Sequence, residues 1–429
     1  MRRKEVNKTG LLQKILFSFA VILLSTGCLQ LQAYSVLTHQ AMIDAVWSKE
    51  IVPVLEERFP GASAGELKEA HAYAYGGAIV PDMGYYPFGS RFFTDLVHYV
   101  RTGDFTRNLI SEATNRNELA FALGALAHYH GDIQGHKLAT NLSVPLVYPK
   151  TGKHFGHVVT YEDDPVAHMR MEFGFDVLQA ARGNYAPQAY RDFIGFKVAG
   201  NALERAFYKT YGLRLKQIFV YLPLAALVFK VSVKVVLPFF TGIAWEWIDK
   251  DALKNKDGTA NQKVAHLLRR SSFDEMLLRN SDGPSLSTKL LAMGFRFVPK
   301  VGLLKTLNFK IPTSEAESLF ADSFDAALHQ YRFSLQSLPE NLPALTDYNL
   351  DTGFEAHRGE YSLADETYSR LLLKLSDKGF KTAPATLSAD GLHYFATQPP
   401  SDCRMEKKQC RKTKAMLQQL QQINKPGNK

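Results

Sequence analysis

Residues 121–140 read FALGALAHYHGDIQGHKLAT, and within them His128, Asp132 and His136 recur at steps of four. On an α-helix that spacing stacks the three side chains on one face, each a turn above the last. Asn115 followed by Glu118 predicts a capping-box start for this helix, and the Leu/Ala-rich run after it sustains the helical pattern. Gly124, Gly131 and Gly135 each cost such a helix roughly 1 kcal/mol relative to Ala, which points to close packing rather than a free surface helix.

Two readings of the polar stripe compete. Buried polar residues satisfied by hydrogen bonds explain a single such histidine. Three in register fit a metal better, because imidazole and carboxylate are ligand types that Zn²⁺ takes and an unpaired Asp inside an apolar helix is costly. His130 points off the stripe and is expected at the surface or supporting a ligand.

The chain has 429 residues and 46% hydrophobic content, the composition of a globular protein of one large or two ordinary domains. Residues 1–33 read as a signal peptide: Arg2, Arg3 and Lys4 form a basic start, 15–24 an apolar core, and Leu31-Gln32-Ala33 a small-residue cleavage site. Export is therefore expected, periplasmic or secreted, with Tyr34 the mature amino terminus. The alternative is a lipoprotein acylated at Cys28, although Ser25 stands where an aliphatic residue is usual.

Removing 1–33 takes away five Lys/Arg and one Glu, so the net charge of +9 falls to +5. From Cys403 onward there are eight Lys/Arg against Glu406 alone, which leaves the preceding body near neutrality. Such a basic tail is either solvated or drawn to an anionic membrane or nucleic acid. Cys403 and Cys410 are spaced for one local disulfide and lack the His pattern of a zinc finger.

Other candidates lie along the first half. His39 enters a helix running through Trp47, with Thr38 as a possible cap. Residues 76–87 read as a helix end and an ordered loop in which Asp82 either makes a turn or aims a carboxylate into a cleft. His98, among Phe92, Phe93, Leu96 and Val97, is a core histidine unless a partner is present. After a polar connection over 141–164, His168 and Glu172 again share a helical face, with His154, His157 and Glu162 as alternatives in the connection. From about Asn201 the patterns stay mostly helical without sustained β alternation. Residues 218–229 and 231–247 are strongly apolar, but their uncharged pieces are shorter than the roughly 20 residues of a membrane span. They are expected to be buried helices or a membrane-facing lip. Residues 252–263 read as loop, 314–338 and 362–375 as helix, and 382–400 as irregular.

Taken in order, Tyr34, His39, Asp82, His98, His128, Asp132, His136, His168 and Glu172 resemble the ligand series of the superfamily of trinuclear zinc phosphodiesterases, which contains bacterial phosphatidylcholine-preferring phospholipase C and the fungal and plant single-strand nucleases. Tyr34 stands where the nuclease-like opening usually has Trp. The short HxxxDxxxH of His128, Asp132 and His136 resembles the zinc-dependent phospholipase C branch. The resemblance covers roughly the first third of the chain, and the remainder has no counterpart in the compact nucleases.

The resemblance implies an all-α, multi-helix bundle with a long helical C-terminal extension: a domain over 34–385 with its metal site within 34–176, then an irregular segment and basic tail over 386–429. It implies three Zn²⁺ ions. One takes Asp82, His98, His128 and Asp132, a second His136, His168 and Glu172, and a third the Tyr34 amine and carbonyl, His39 and a shared Asp132. Asp82 is the implied catalytic residue, orienting or deprotonating the attacking water. The implied function is an exported phospholipase C that cuts the glycerol side of a phospholipid head group, with peripheral membrane contact through 218–247. Two alternatives stand beside it. One is a secreted single-strand nuclease using Tyr85, Tyr86 and Phe88 as base platforms. The other is a non-catalytic helical envelope protein stabilised by metal.

Overall fold

The computed structural model describes residues 36–185, 194–233, 241, 244, 258–268, 308–338, 344–396 and 407–423. The expected signal segment, Cys28, Tyr34 and most of 234–257 lie outside them. The fold is all-α. Among the described residues, strands occur only as a two-residue antiparallel hairpin, Tyr348–Asn349 against Phe354–Glu355.

The helices that build the site are α1 (Val36–Val46), α2 (Ala64–Ile79), α3 (Arg91–Tyr99), α4 (Arg116–Gly135) and α5 (Pro165–Ala181). The later part of the chain adds α6 (Gly200–Tyr211), α7 (Ser314–Ser337), α8 (Ser362–Ser376) and α9 (Lys407–Ile423). α4 is the axis of the molecule, packed between α2 and α7 and buried along nearly its whole length. Leu119, Phe121, Leu123 and Leu126 are fully enclosed, each worth roughly 1.5–3 kcal/mol of burial.

Glycine explains how α2 and α4 approach so closely. A Cβ on Gly124 would lie 2.0 Å from the Ala74 carbonyl oxygen, and one on Gly77 would lie 1.8 Å from that of Phe121. On the other side, Tyr331 of α7 donates to the Leu123 carbonyl at 2.9 Å. α4 starts as expected at Asn115, whose side chain accepts the Glu118 N–H at 3.0 Å. The reciprocal half of the box is displaced by one residue: Glu118 instead accepts the N–H and hydroxyl of Thr114.

Several sequence expectations are corrected. His130 is buried against α7, with Nε2 2.8 Å from the Ser334 hydroxyl, and burial pushes its pKa down to about 3. Asp82 sits on a 3₁₀ turn, Val80–Tyr85, that continues directly from α2. The connection over 141–164 contains the helices Asn141–Val147 and Pro149–Phe155. Residues 259–263 open the helix Thr259–Leu268 instead of a loop. Within the segment read as irregular, Ala385–Ala396 is a helix. Leu387, Gly391, Tyr394 and Phe395 supply its buried face at helical spacing. The basic tail contains α9, which packs on α8. Cys410 in α9 is disulfide-bonded.

Candidate metal centre

Six elements deliver the candidate ligands. α1 carries His39, the 3₁₀ turn Asp82, α3 His98, α4 and the π turn after it His128, Asp132 and His136, and α5 His168 and Glu172. All eight are buried. Asp164 caps α5 by accepting the Ala167 N–H at 3.0 Å, with Pro165 at its first position. Four residues beyond Glu172, Asp176 accepts the Leu37 and Thr38 N–H groups at 2.9 and 3.1 Å, which ties the start of α1 to α5. The chain immediately before His39 is thus fixed beside the site.

Three groups form, each able to point donor atoms to within 4.8 Å of one another: His39, His128 and Asp132; Asp82, His98 and His128; His136, His168 and Glu172. Asp132 faces two ways. Its Oδ1 is 3.3 Å from His39 Nε2, while Oδ2 is 3.0 Å from His128 Nε2 and 3.5 Å from His98 Nε2. Asp82 Oδ1 lies 3.3 Å from His98 Nε2, and the two imidazole Nε2 atoms are 3.4 Å apart. Glu172 Oε1 is 3.0 Å from both His136 Nε2 and His168 Nε2. His128 contributes to two of the groups, so the sharing in this geometry falls on His128 as well as on Asp132.

Backbone carbonyls set the histidine rings. Nδ1–H of His98 donates to Thr94 at 2.9 Å, that of His128 to Ala78 at 3.0 Å and that of His136 to Leu350 at 2.8 Å. Each bond leaves the Nε2 lone pair turned inward, the arrangement by which proteins orient metal-binding imidazoles. Both oxygens of Asp82 and of Asp132, and Oε2 of Glu172, are buried with no hydrogen-bond donor. Buried carboxylates in that state need a cation. Donors on a tetrahedral Zn²⁺ with bonds of about 2.0–2.1 Å lie roughly 3.3 Å apart, close to the spacings here. The donor set fits zinc.

The electrostatics agree with a site that gathers positive charge. Burial pushes Asp82 up to about 6. Burial also opposes ionisation of Asp132 and Glu172, yet the surrounding histidines outweigh it and hold both carboxyls below their usual values. Burial disfavours a charged His136, but Asp132 and Glu172 outweigh that and raise it to about 10. His98 is likewise raised, burial being overcome by Asp132 and Asp82.

Aromatic residues border the groups. The Tyr85 ring stands edge-on to His98 at 6.1 Å and the Tyr161 ring to His168 at 5.8 Å, with the Arg91 guanidinium 4.8 Å from the Tyr85 ring centre. The alternatives in the connection take no part: His154 and His157 are exposed, and Glu162 accepts from Ser362 and from the Leu363 N–H at 3.2 Å, capping α8. Tyr34 lies outside the described residues. Sequence reasoning missed Thr94 and the Ala78 and Leu350 carbonyls. Only Thr94 carries any signal, as the residue four before His98.

Comparison with known proteins adds one match. Residues 38–220 match the family model described as Zinc dependent phospholipase C, and that segment holds all eight buried candidate ligands. The family indicates a phosphodiester hydrolase. No curated protein and no solved structure matches the chain.

Proposed function

Because residues 38–220 match the zinc-dependent phospholipase C family model, we propose that this protein is an exported phospholipase C that hydrolyses the glycerol-side phosphodiester of phospholipids at three zinc ions. The observation that carries the reading is the set of buried, donorless carboxylate oxygens of Asp82, Asp132 and Glu172, each beside inward-turned imidazoles.

Asp82, His98, His128 and Asp132 would hold one ion, His136, His168 and Glu172 a second, and His39, Asp132 and the Tyr34 amino terminus a third. Bound zinc would supply a water of lowered pKa and positive charge for the phosphoryl oxygens and the leaving alkoxide. The chain's own residues do the rest. Asp82 orients the attacking water and receives its proton. Asp132 holds two ligand groups in register through its two oxygens. Thr94, Ala78 and Leu350 keep three imidazoles from rotating. Tyr85 and Tyr161 line the site beside His98 and His168.

Export is supported by the signal-like residues 1–33 and by the disulfide at Cys410, a bond characteristic of oxidising compartments. Contact with lipid is proposed at 220–227. There Val220, Tyr221 and Leu227 are exposed, and the helix Leu222–Val231 packs through Phe229 against Tyr86, four residues after Asp82. No helix among the described residues is long and apolar enough to cross a membrane, which leaves peripheral contact as the proposed mode.

The test is turnover. Mature, zinc-loaded protein should release diacylglycerol and a phosphorylated head group from phosphatidylcholine in mixed micelles, and leave single-stranded DNA uncut under the same conditions. Cleavage of DNA without diacylglycerol release would replace this reading by the nuclease one.

A further inference from the structure

We propose that residues 349–351, far outside the segment that matches the family, are a positioning strap that sets His136 and so controls occupancy of the His136, His168 and Glu172 group. The inference rests on the zinc-binding reading above.

Leu350 touches two ligand-bearing elements with its two backbone groups. Its N–H donates to the carbonyl of His98 at 2.9 Å, and its carbonyl accepts Nδ1–H of His136 at 2.8 Å. One peptide-bonded unit therefore fixes the end of α3 and the ring of a residue on the π turn, which belong to different ligand groups. Leu350 is 2% exposed, so water cannot readily replace either bond.

The strap is held by its neighbour. Asp351 Oδ2 accepts the hydroxyls of Tyr99 at 2.8 Å and Tyr361 at 2.6 Å, and the Asp351 carbonyl accepts Asn141 Nδ2 at 2.8 Å. Asn349 Oδ1 accepts the Asp351 N–H at 2.9 Å and tightens the turn. Tyr99 comes from α3, Asn141 from the helix after the π turn, and Tyr361 from the residue that precedes α8. Three anchors from separate elements leave Leu350 one place to sit.

The consequence lies in the chemistry of His136. A metal-binding imidazole almost always donates its other ring N–H to a partner, which fixes the tautomer and the ring plane. His168 has no such support, because its Nδ1 is buried without a hydrogen-bond partner. Within this group, ring orientation by a backbone carbonyl thus falls to Leu350 acting on His136. Asp351 and Tyr361 act through Leu350; they are positioning residues.

Zinc content and chelator competition on the full-length chain test this. Asp351→Ala should keep its helical circular dichroism and bind one equivalent of zinc about 10–100-fold more weakly, the usual cost of losing a ligand's support, while the other equivalents keep wild-type affinity. Tyr361→Phe should weaken the same equivalent by less. His136→Ala should lose that equivalent outright, and adding Asp351→Ala to it should cost nothing more in zinc. Should Asp351→Ala not fold, Tyr361→Phe decides alone. Folded variants that hold every zinc at wild-type affinity, or that weaken all equivalents alike, overturn the strap while the phospholipase reading stands. A wild-type protein without zinc overturns both.

Discussion

The hydroxyl of Thr94 donates to the carbonyl of Pro81 at 2.6 Å, and the same oxygen accepts the N–H of Gly84 at 2.9 Å. One side chain of α3 thereby clamps both ends of the turn that carries Asp82, while its carbonyl sets the ring of His98. Thr94→Val keeps the shape and removes both bonds, leaving two buried backbone groups unpaired at about 1–3 kcal/mol each. Urea unfolding should show that loss, and Thr94→Ser should recover most of it.

Asp132 presents one oxygen to His39 and the other to His98 and His128. Asp132→Ala should therefore lower the zinc content of the purified protein by one or two ions. An unchanged count would reject the bridging role.

Chelation should destabilise the fold as well as stop turnover, since carboxylate oxygens of Asp82, Asp132 and Glu172 are then left buried without a partner. A ligand present at a thousand times its Kd adds about 4 kcal/mol, so the Tm should fall on adding chelator and recover with zinc. Magnesium or calcium should not restore it, because five of the eight described ligands are imidazoles.

Asp347 predicts a pH dependence separate from the metal centre. Burial raises its carboxyl from 3.8 to about 6, although it accepts the Asp104 N–H at 3.0 Å. In the fold the proton is retained where the unfolded chain has lost it. This contribution to stability, about 3 kcal/mol, is full below pH 3.8 and gone above pH 6. Asp347→Asn keeps an acceptor for Asp104 but cannot ionise. Unfolding curves at pH 4 to 7 should show the variant losing less stability than the wild type as pH rises.

The crossing of α2 and α4 is checked by paired glycine substitutions. Gly124→Ala places a methyl 2.0 Å from the Ala74 carbonyl oxygen, so two backbones must separate and at least about 1–3 kcal/mol should be lost. Gly200→Ala meets nothing within 4 Å at the start of α6 and should gain about 0.4–1 kcal/mol.

The sequence by itself determined the helical class and the types of ligand, because both are local. A period of four puts His128, Asp132 and His136 on one face whatever surrounds the helix, and His168 with Glu172 repeats the logic on α5. The glycines at 124 and 131 announced close packing before any partner was known; the structure supplies Ala74 and His39 as the neighbours.

Tertiary structure alone decided what holds the candidate ligands and that His128 stands in two of their groups. The stripe on α4 divides: His128 and Asp132 turn toward His39, Asp82 and His98, while His136 turns toward Glu172. That division depends on helix crossings that no local pattern encodes. The supports at Ala78, Thr94 and Leu350 act through carbonyls, which every residue possesses, so residue identity carries no mark of them. Leu350 is 214 positions from His136, and only the folding back of the C-terminal part brings its carbonyl within 2.8 Å.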